Sequence, residues 1–280
     1  MRILLTCAAL AILTTPALAA QASQNADLYA QRRALLAADD GCALLAEGPR
    51  LALAAMTAQS RAALVREGWR VPALAELERK AVAAGRARTC ADPALRQAVA
   101  SAKAGYDGWR RLSLMRFPGA ETSWTARRTP DPDGWILWQD APGKGGRFGV
   151  RQVDQRIELT FAAPHAIAAS GARLRLRDLT RAPQPGFDAP GRAKASLADR
   201  APMPVESIAV LAGQKRLEPA ASARPPQAAF TFDLAVLNRL EALDTREAVR
   251  IELPRADGSL DVVHIEVGDL AAARAFVALR

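Results

Sequence analysis

The chain has 280 residues, 50% of them hydrophobic, and carries 38 Lys and Arg against 29 Asp and Glu, a formal charge of +9. This length can fill one large core or two modest ones. After Ala20 no apolar run reaches the roughly 20 residues that a membrane-spanning helix needs. The basic excess is nearly all arginine beside abundant alanine, a composition shared with GC-rich genomes, and in an exported chain it does not point to a nucleic-acid partner.

Export is read from the first residues. Met1-Arg2 is a short positive region, Ile3 to Thr15 is almost wholly apolar, and Pro16-Ala17-Leu18-Ala19 places small residues where a signal peptidase cuts. The expectation is a signal peptide over 1–19, cleaved near Ala19, and a mature protein in the periplasm or secreted, without a transmembrane anchor. Cys7 stands too early in the apolar stretch to be a lipoprotein site and leaves with the leader. Cys42 and Cys90 then remain as an even pair in an oxidising compartment, which predicts a disulfide between them.

Residues 20–116 read as a helical domain. Asn25 is placed to cap a first helix running to about Ala38, where Asp39-Asp40-Gly41 interrupts it. Pro49 opens a second helix with Leu51, Ala55, Ala58, Ala62 and Val65 at helical spacing as far as Gly68. Pro72 opens a third, with Leu74, Leu77, Ala81 and Ala84 on one face. Asp92-Pro93 caps a fourth, whose face runs Val99, Ala102, Tyr106, Trp109. Short loops and many alanines predict a closely packed antiparallel bundle, with the Cys42–Cys90 bridge closing a long loop.

Residues 117–280 read as a mainly antiparallel, β-rich domain with a C-terminal helix, giving an α+β chain. Expected strands are Trp135 to Asp140, Arg147 to Val153, Arg156 to Phe161 and Ala172 to Asp178. Ile157, Leu159 and Phe161 alternate with Arg156, Glu158 and Thr160, so one face should be buried and the other wet. A long exposed loop is expected near 180–204. Beyond it, Ser207 to Leu211 and Ala229 to Asp233 are read as a strand pair, and Leu234 to Leu243 as a helix. Val249 to Leu253 and Leu260 to Val267 should form a hairpin across Asp257-Gly258, and Asp269 should cap a terminal helix with Leu270, Ala273 and Phe276 inward.

The layout of Leu237, Leu240, the Val249 to Val267 hairpin and the Asp269 helix resembles, over perhaps 50 residues, the C-terminal part of the invasion-associated locus B family of exported bacterial proteins. The segment from Phe117-Pro118-Gly119 to Trp124, with Trp135, resembles uncharacterised exported proteins of GC-rich proteobacteria. These resemblances imply no particular activity.

Residues able to carry chemistry are few. The two histidines lie apart, His264 in a strand beside Glu266 and His165 after Pro164, and no Gly-x-Ser-x-Gly elbow accompanies either. No Cys-x-x-Cys or His-Glu-x-x-His pattern supports zinc. Asp131, Asp133 and Gly134 read as a turn rather than a calcium loop, and Gly143 to Gly146 as a hairpin tip. Trp124, Trp135 and Trp138 are large enough to stack on a sugar or peptide, but such residues more often fill cores. No catalytic residue, metal or cofactor is nominated.

One binding surface is expected. Arg173, Arg175 and Arg177 alternate with Leu174 and Leu176 and should form a charged ladder about 6.7 Å apart on one strand face. Arg156, with Arg147 and Arg151, should extend it toward anionic envelope material, while Arg181, Arg192 and Arg200 in the loop should matter less. The leading reading is an exported envelope protein that binds or organises an anionic envelope polymer or an envelope protein without catalysis. The alternative is a periplasmic hydrolase acting on glycans through paired carboxylates.

Overall fold

The computed structural model describes residues 16–143, 145–185, 195–221 and 224–278, with side chains from residue 24 onward. The expected signal region before Pro16 therefore lies outside the described residues.

Four helices come first: α1 (Pro16–Cys42), α2 (Glu47–Arg66), α3 (Val71–Arg86) and α4 (Pro93–Arg110). Prolines 72 and 93 fall in the first turns of α3 and α4, and the Asp92 carboxylate accepts the Ala94 N–H at 2.8 Å. The first helix departs from its expected limits. Asn25 is inside α1, and Asp39-Asp40-Gly41 does not break it. Asp39 is only 3% exposed, and its Oδ1 receives the Leu44 and Leu45 N–H groups at 2.7 and 2.8 Å, so the carboxylate folds the following chain back. The helix stops where Ala43 turns to φ 50°. α1 packs on α2 and α3, and a side chain on Gly85 would collide with the Ala34 carbonyl, so glycine sets the close α1–α3 approach.

The rest is two antiparallel sheets. One has seven strands in the order β1 (Leu114–Pro118), β2 (Ser123–Arg127), β3 (Trp135–Asp140), β4 (Arg147–Val153), β5 (Arg156–Ala163), β9 (Gln227–Phe232), β8 (Gln214–Glu218). The other has four in the order β11 (Leu260–Glu266), β10 (Ala248–Pro254), β6 (Arg173–Arg177), β7 (Ser207–Leu211). Among the described residues the later α-helices are α5 (Leu197–Arg200), α6 (Val236–Glu241) and α7 (Leu270–Ala278), with 3-10 turns at Pro164–Ala168 and Pro204–Glu206. The chain is α+β, as expected from the switch in hydrophobic period near residue 117, although β1 already starts at Leu114.

Apolar side chains from both sheets, among them Leu159, Phe161, Phe230, Leu174, Ile251 and Val263, form one core. α7 lies on β1, β2 and β3 and also packs on α2, so Ala52, Ala55, Trp109 and Phe276 belong to the same core. Arg66 of α2 bonds the Asp269 carboxylate at the start of α7 at 2.7 Å. The helical segment and the sheets thus meet at α7, with Trp109 of α4 also reaching the Met115 sulfur of β1 at 3.1 Å, and the Asp269 side chain serves that junction.

Two further expectations are corrected. Ser207 to Leu211 does not pair with the strand at 227–232: β7 pairs with β6, and β9 with β5 and β8. Ala212-Gly213 carries the chain from one sheet to the other, and β8, a strand with only one apolar residue in Gln-Lys-Arg-Leu-Glu, gave no alternation to reveal this. The expected wet face of β5 is also partly dry. Ala162 packs with Trp135, Trp138 and Ala229, and Thr160 is fully buried.

Candidate functional site

The arginine ladder was the sequence's candidate, and the structure places Arg173, Arg175 and Arg177 together on one face of β6, with Leu174 and Leu176 buried behind them. The face is not an open cationic surface. β10 runs beside it with Glu252 opposite Arg173, and that carboxylate lies 3.3 Å from Arg173 and 2.7 Å from Arg175. Arg177 is 5% exposed and grips Glu247 through Nε at 2.9 Å and Nη2 at 2.6 Å. These bonds push the Arg177 guanidinium above its ordinary value, against the effect of burial.

Arg156 cannot extend this face, because it stands exposed at the start of β5 in the other sheet. Arg147 and Arg151 lie in that sheet too. Arg147 bonds Asp140 at 2.9 Å, and buried Arg151 bonds Glu218 at 2.6 Å. Glu218 also accepts Arg224 at 2.7 Å and Gln227 at 2.8 Å. Burial pushes its carboxyl up, but the bonds from Gln227 and Arg151 and the charges of Arg151 and Arg224 prevail and hold it below the usual carboxylate range.

The loop expected to be exposed near 180–204 supplies a buried charge. Arg192 lies outside the described residues, and Arg181 is exposed beside Asp178. Arg200 is 2% exposed and reaches Glu266 at 3.1 Å, the Arg246 carbonyl at 2.8 Å and Glu121 at 2.5 Å. Glu266, fully buried at the end of β11, also receives the N–H groups of Ala120, Glu121 and Thr122 at 2.7, 3.0 and 2.9 Å. Gly119 is required because a side chain there would overlap this carboxylate. The chain just after Phe117-Pro118-Gly119 therefore wraps this carboxylate, whose oxygens are occupied by three backbone donors, the Thr122 hydroxyl and Arg200.

The tryptophans are internal. Trp124 is 1% exposed and donates to the Val267 carbonyl at 2.8 Å. Trp135 and Trp138, 1% and 8% exposed, lie under the guanidinium groups of Arg151 and Arg147 at 5.5 and 5.3 Å. Asp131 forms the anticipated turn, accepting the Asp133 and Trp135 N–H groups at 2.9 and 2.8 Å. His165 packs edge-on against Phe161, with Nε2 3.8 Å from Asp261, while His264 sits opposite Arg250 in β11. Among the described residues no three His, Cys, Asp or Glu side chains are grouped to hold a metal.

A roomy hollow lies in the helical segment, where the sequence had nominated no binding residue. It is a groove of about 600 Å³ with α1 as its floor and α3 and α4 as its walls, inside the roughly 300–1,000 Å³ of small-molecule sites. Ala30 and Ala34 of α1, Leu77 and Ala84 of α3, and Leu95 and Ala98 of α4 give it an apolar lining. Gln31, Lys80 and Arg88 are its only polar side chains, and none is acidic. An adjoining hollow shares Arg88 and contains Cys42 and Cys90, whose Sγ atoms are 2.06 Å apart and whose Cα atoms are 5.5 Å apart. The bridge ties the end of α1 to the chain between α3 and α4, where it fixes floor against walls.

The α3 stripe of Leu74, Leu77, Ala81 and Ala84 carried the one signal that could have found the groove. Leu74 and Ala81 are buried as a helical face should be, but Ala84 is exposed. A stripe this small fills space poorly, and its excess apolar length becomes the groove wall. No family model, curated protein or solved structure matches the chain.

Proposed function

We propose that this is an exported cell-envelope protein with a non-enzymatic binding role, and that its ligand is an anionic amphiphile whose apolar chain occupies the α1–α3–α4 groove. The observation that carries the reading is the groove itself: an apolar trough whose only charged side chains, Lys80 and Arg88, are cationic. Both cations are engaged at the surface, Lys80 with Glu76 at 3.3 Å and Arg88 with Asp92 at 2.7 Å. Exposed pairs of this kind are worth at most about 1 kcal/mol, so an anionic headgroup can displace them at small cost. The apparent leader sequence and the Cys42–Cys90 pair support an oxidising envelope compartment.

The glycan-hydrolase alternative has less support. Among the described residues, Glu241 and Asp269 are carboxyls that burial holds above the usual range, and they are engaged by Arg274 and Arg66. Dansyl-undecanoate, a fluorescent anionic amphiphile, is the direct probe. It should bind saturably, palmitate should displace it better than hexadecanol, and Ala84→Trp, which fills the groove from an exposed helix position, should weaken it by about tenfold or more. Absence of saturable binding, or binding untouched by Ala84→Trp, would refute the reading.

A further inference from the structure

A second hollow, of about 290 Å³, lies on the larger sheet, bounded by β3, the turn from β3 to β4, the end of β5 and the start of β9. Among the described residues its charged side chains are two arginines and two aspartates. One pair is closed on itself, Arg147 bonding Asp140 at 2.9 Å. The other pair is not. Arg224 Nη1 stands 3.9 Å from Asp133 Oδ1, beyond hydrogen-bond reach, and the Asp133 carboxylate has no other partner among the described residues.

Both side chains are held in place by their own turns. The Asp131 carboxylate accepts the Asp133 N–H at 2.9 Å, and Ala221 and Arg224 exchange backbone bonds of 2.9 and 3.0 Å between β8 and β9. Arg224 Nη1 is tied to Glu218 at 2.7 Å, and the remaining Glu218 bonds go to Arg151 and Gln227. Arg224 Nε is buried without a hydrogen-bond partner, and Nη2 beside it has none either. These two nitrogens form the edge of a guanidinium that grips a carboxylate side-on, as Arg177 grips Glu247 in this chain. A buried charged donor without a bond is costly and calls for an acceptor.

We infer that Arg224 and Asp133 form a binding site for a small aliphatic α-amino acid, taken as the free zwitterion. The ligand's carboxylate accepts from Arg224 Nε and Nη2, and its ammonium donates to Asp133. A simple anion would meet two aspartates here and a simple cation two arginines, whereas a zwitterion meets a partner for each charge. Opposite charges carried on one carbon suit a guanidinium and a carboxylate 3.9 Å apart; the two ends of a peptide, separated by at least one peptide unit, do not. Arg224 and Asp133 also line a neighbouring hollow over Pro130 to Gly134, so the charged end sits where the two hollows meet. The side chain then extends along Trp135, Ala162, Pro164 and Pro225. The volume falls just below the roughly 300 Å³ at which sites for larger organic ligands begin.

Isothermal titration calorimetry of the purified protein with L-leucine tests the site. Leucine should bind saturably. Leucinamide, which lacks the carboxylate, and N-acetyl-leucine, which lacks the ammonium, should each bind about tenfold or more weakly than leucine. Asp133→Asn should weaken leucine by a similar factor, and it removes no hydrogen bond of the fold. Arg224→Lys keeps a charge for Glu218 but loses the planar fork, and it should weaken leucine likewise. Ala84→Trp, in the helical groove, should bind leucine as the parent does, which separates this site from the amphiphile site. The inference is overturned if leucine gives no saturable heat, if the two blocked compounds bind as leucine does, or if Asp133→Asn binds like the parent. Loss of leucine binding in Ala84→Trp would move the site to the groove and overturn it too. If Arg224→Lys does not fold, as judged by circular dichroism, Asp133→Asn and the blocked compounds decide.

Discussion

At the scale of single residues, the outcome is set by pairing partners far away in sequence. Alternation correctly put Arg173, Arg175 and Arg177 on the face opposite Leu174 and Leu176. It could not reveal that Glu252, 77 positions beyond Arg175, lies next to them. Nor could local reading find Arg200, which sits in an aperiodic segment and yet meets Glu266 in the interior. Glu218 makes the energetic consequence measurable. Its folded pKa lies below the ordinary glutamate value of about 4.3. Its stabilising contribution is therefore complete above that value and is lost as pH falls through the lower folded pKa. Glu218→Gln should be less stable than the parent at neutral pH, by about 3 kcal/mol because Arg151 and Arg224 lose their partner. In urea unfolding repeated at falling pH, that gap should narrow below about pH 4; a gap constant across the titration would contradict the assignment.

At the scale of elements, helix punctuation was legible because its signals are local. Pro72 and Asp92-Pro93 mark starts within a turn of where α3 and α4 begin, and Gly68 follows the end of α2. Asp39 misled because an acidic pair before glycine looks like a stop, whereas its carboxylate is engaged by Leu44 and Leu45 N–H groups on the far side of the turn. Strand positions were largely legible and strand neighbours were not, since alternation gives a face but no partner, and the single leucine of β8 hid the crossing between sheets. The Cys42–Cys90 link followed from parity and compartment alone, and it spans 48 residues. Closing a loop of that size contributes about 4 kcal/mol on the chain-entropy estimate. The Cys42→Ser, Cys90→Ser double variant should lose stability of that order in urea unfolding, and its amphiphile affinity should fall as the groove's floor and walls come loose. An unchanged unfolding midpoint would mean that the bridge constrains nothing.

For the molecule as a whole, two halves that read separately in sequence meet at α7 and at Trp109, whose Nε1 lies 3.1 Å from the Met115 sulfur of β1. α7 completes the core of the large sheet and packs on α2, while the face of α1, α3 and α4 away from it is left with small side chains and an open trough. Under the proposed function, the division of labour is structural charge in the sheets and apolar binding in the helices. The groove was illegible because it is a shortfall of side-chain volume between three helices, not a motif in any one of them. Photolabelling tests this most directly: a palmitate analogue carrying a diazirine on its chain is irradiated with the folded protein, and the modified peptides are mapped by mass spectrometry. The account predicts labels concentrated at residues 30–35, 77–88 and 94–98, suppressed by excess palmitate. Labels spread over the sheets, or unaffected by palmitate, would contradict it.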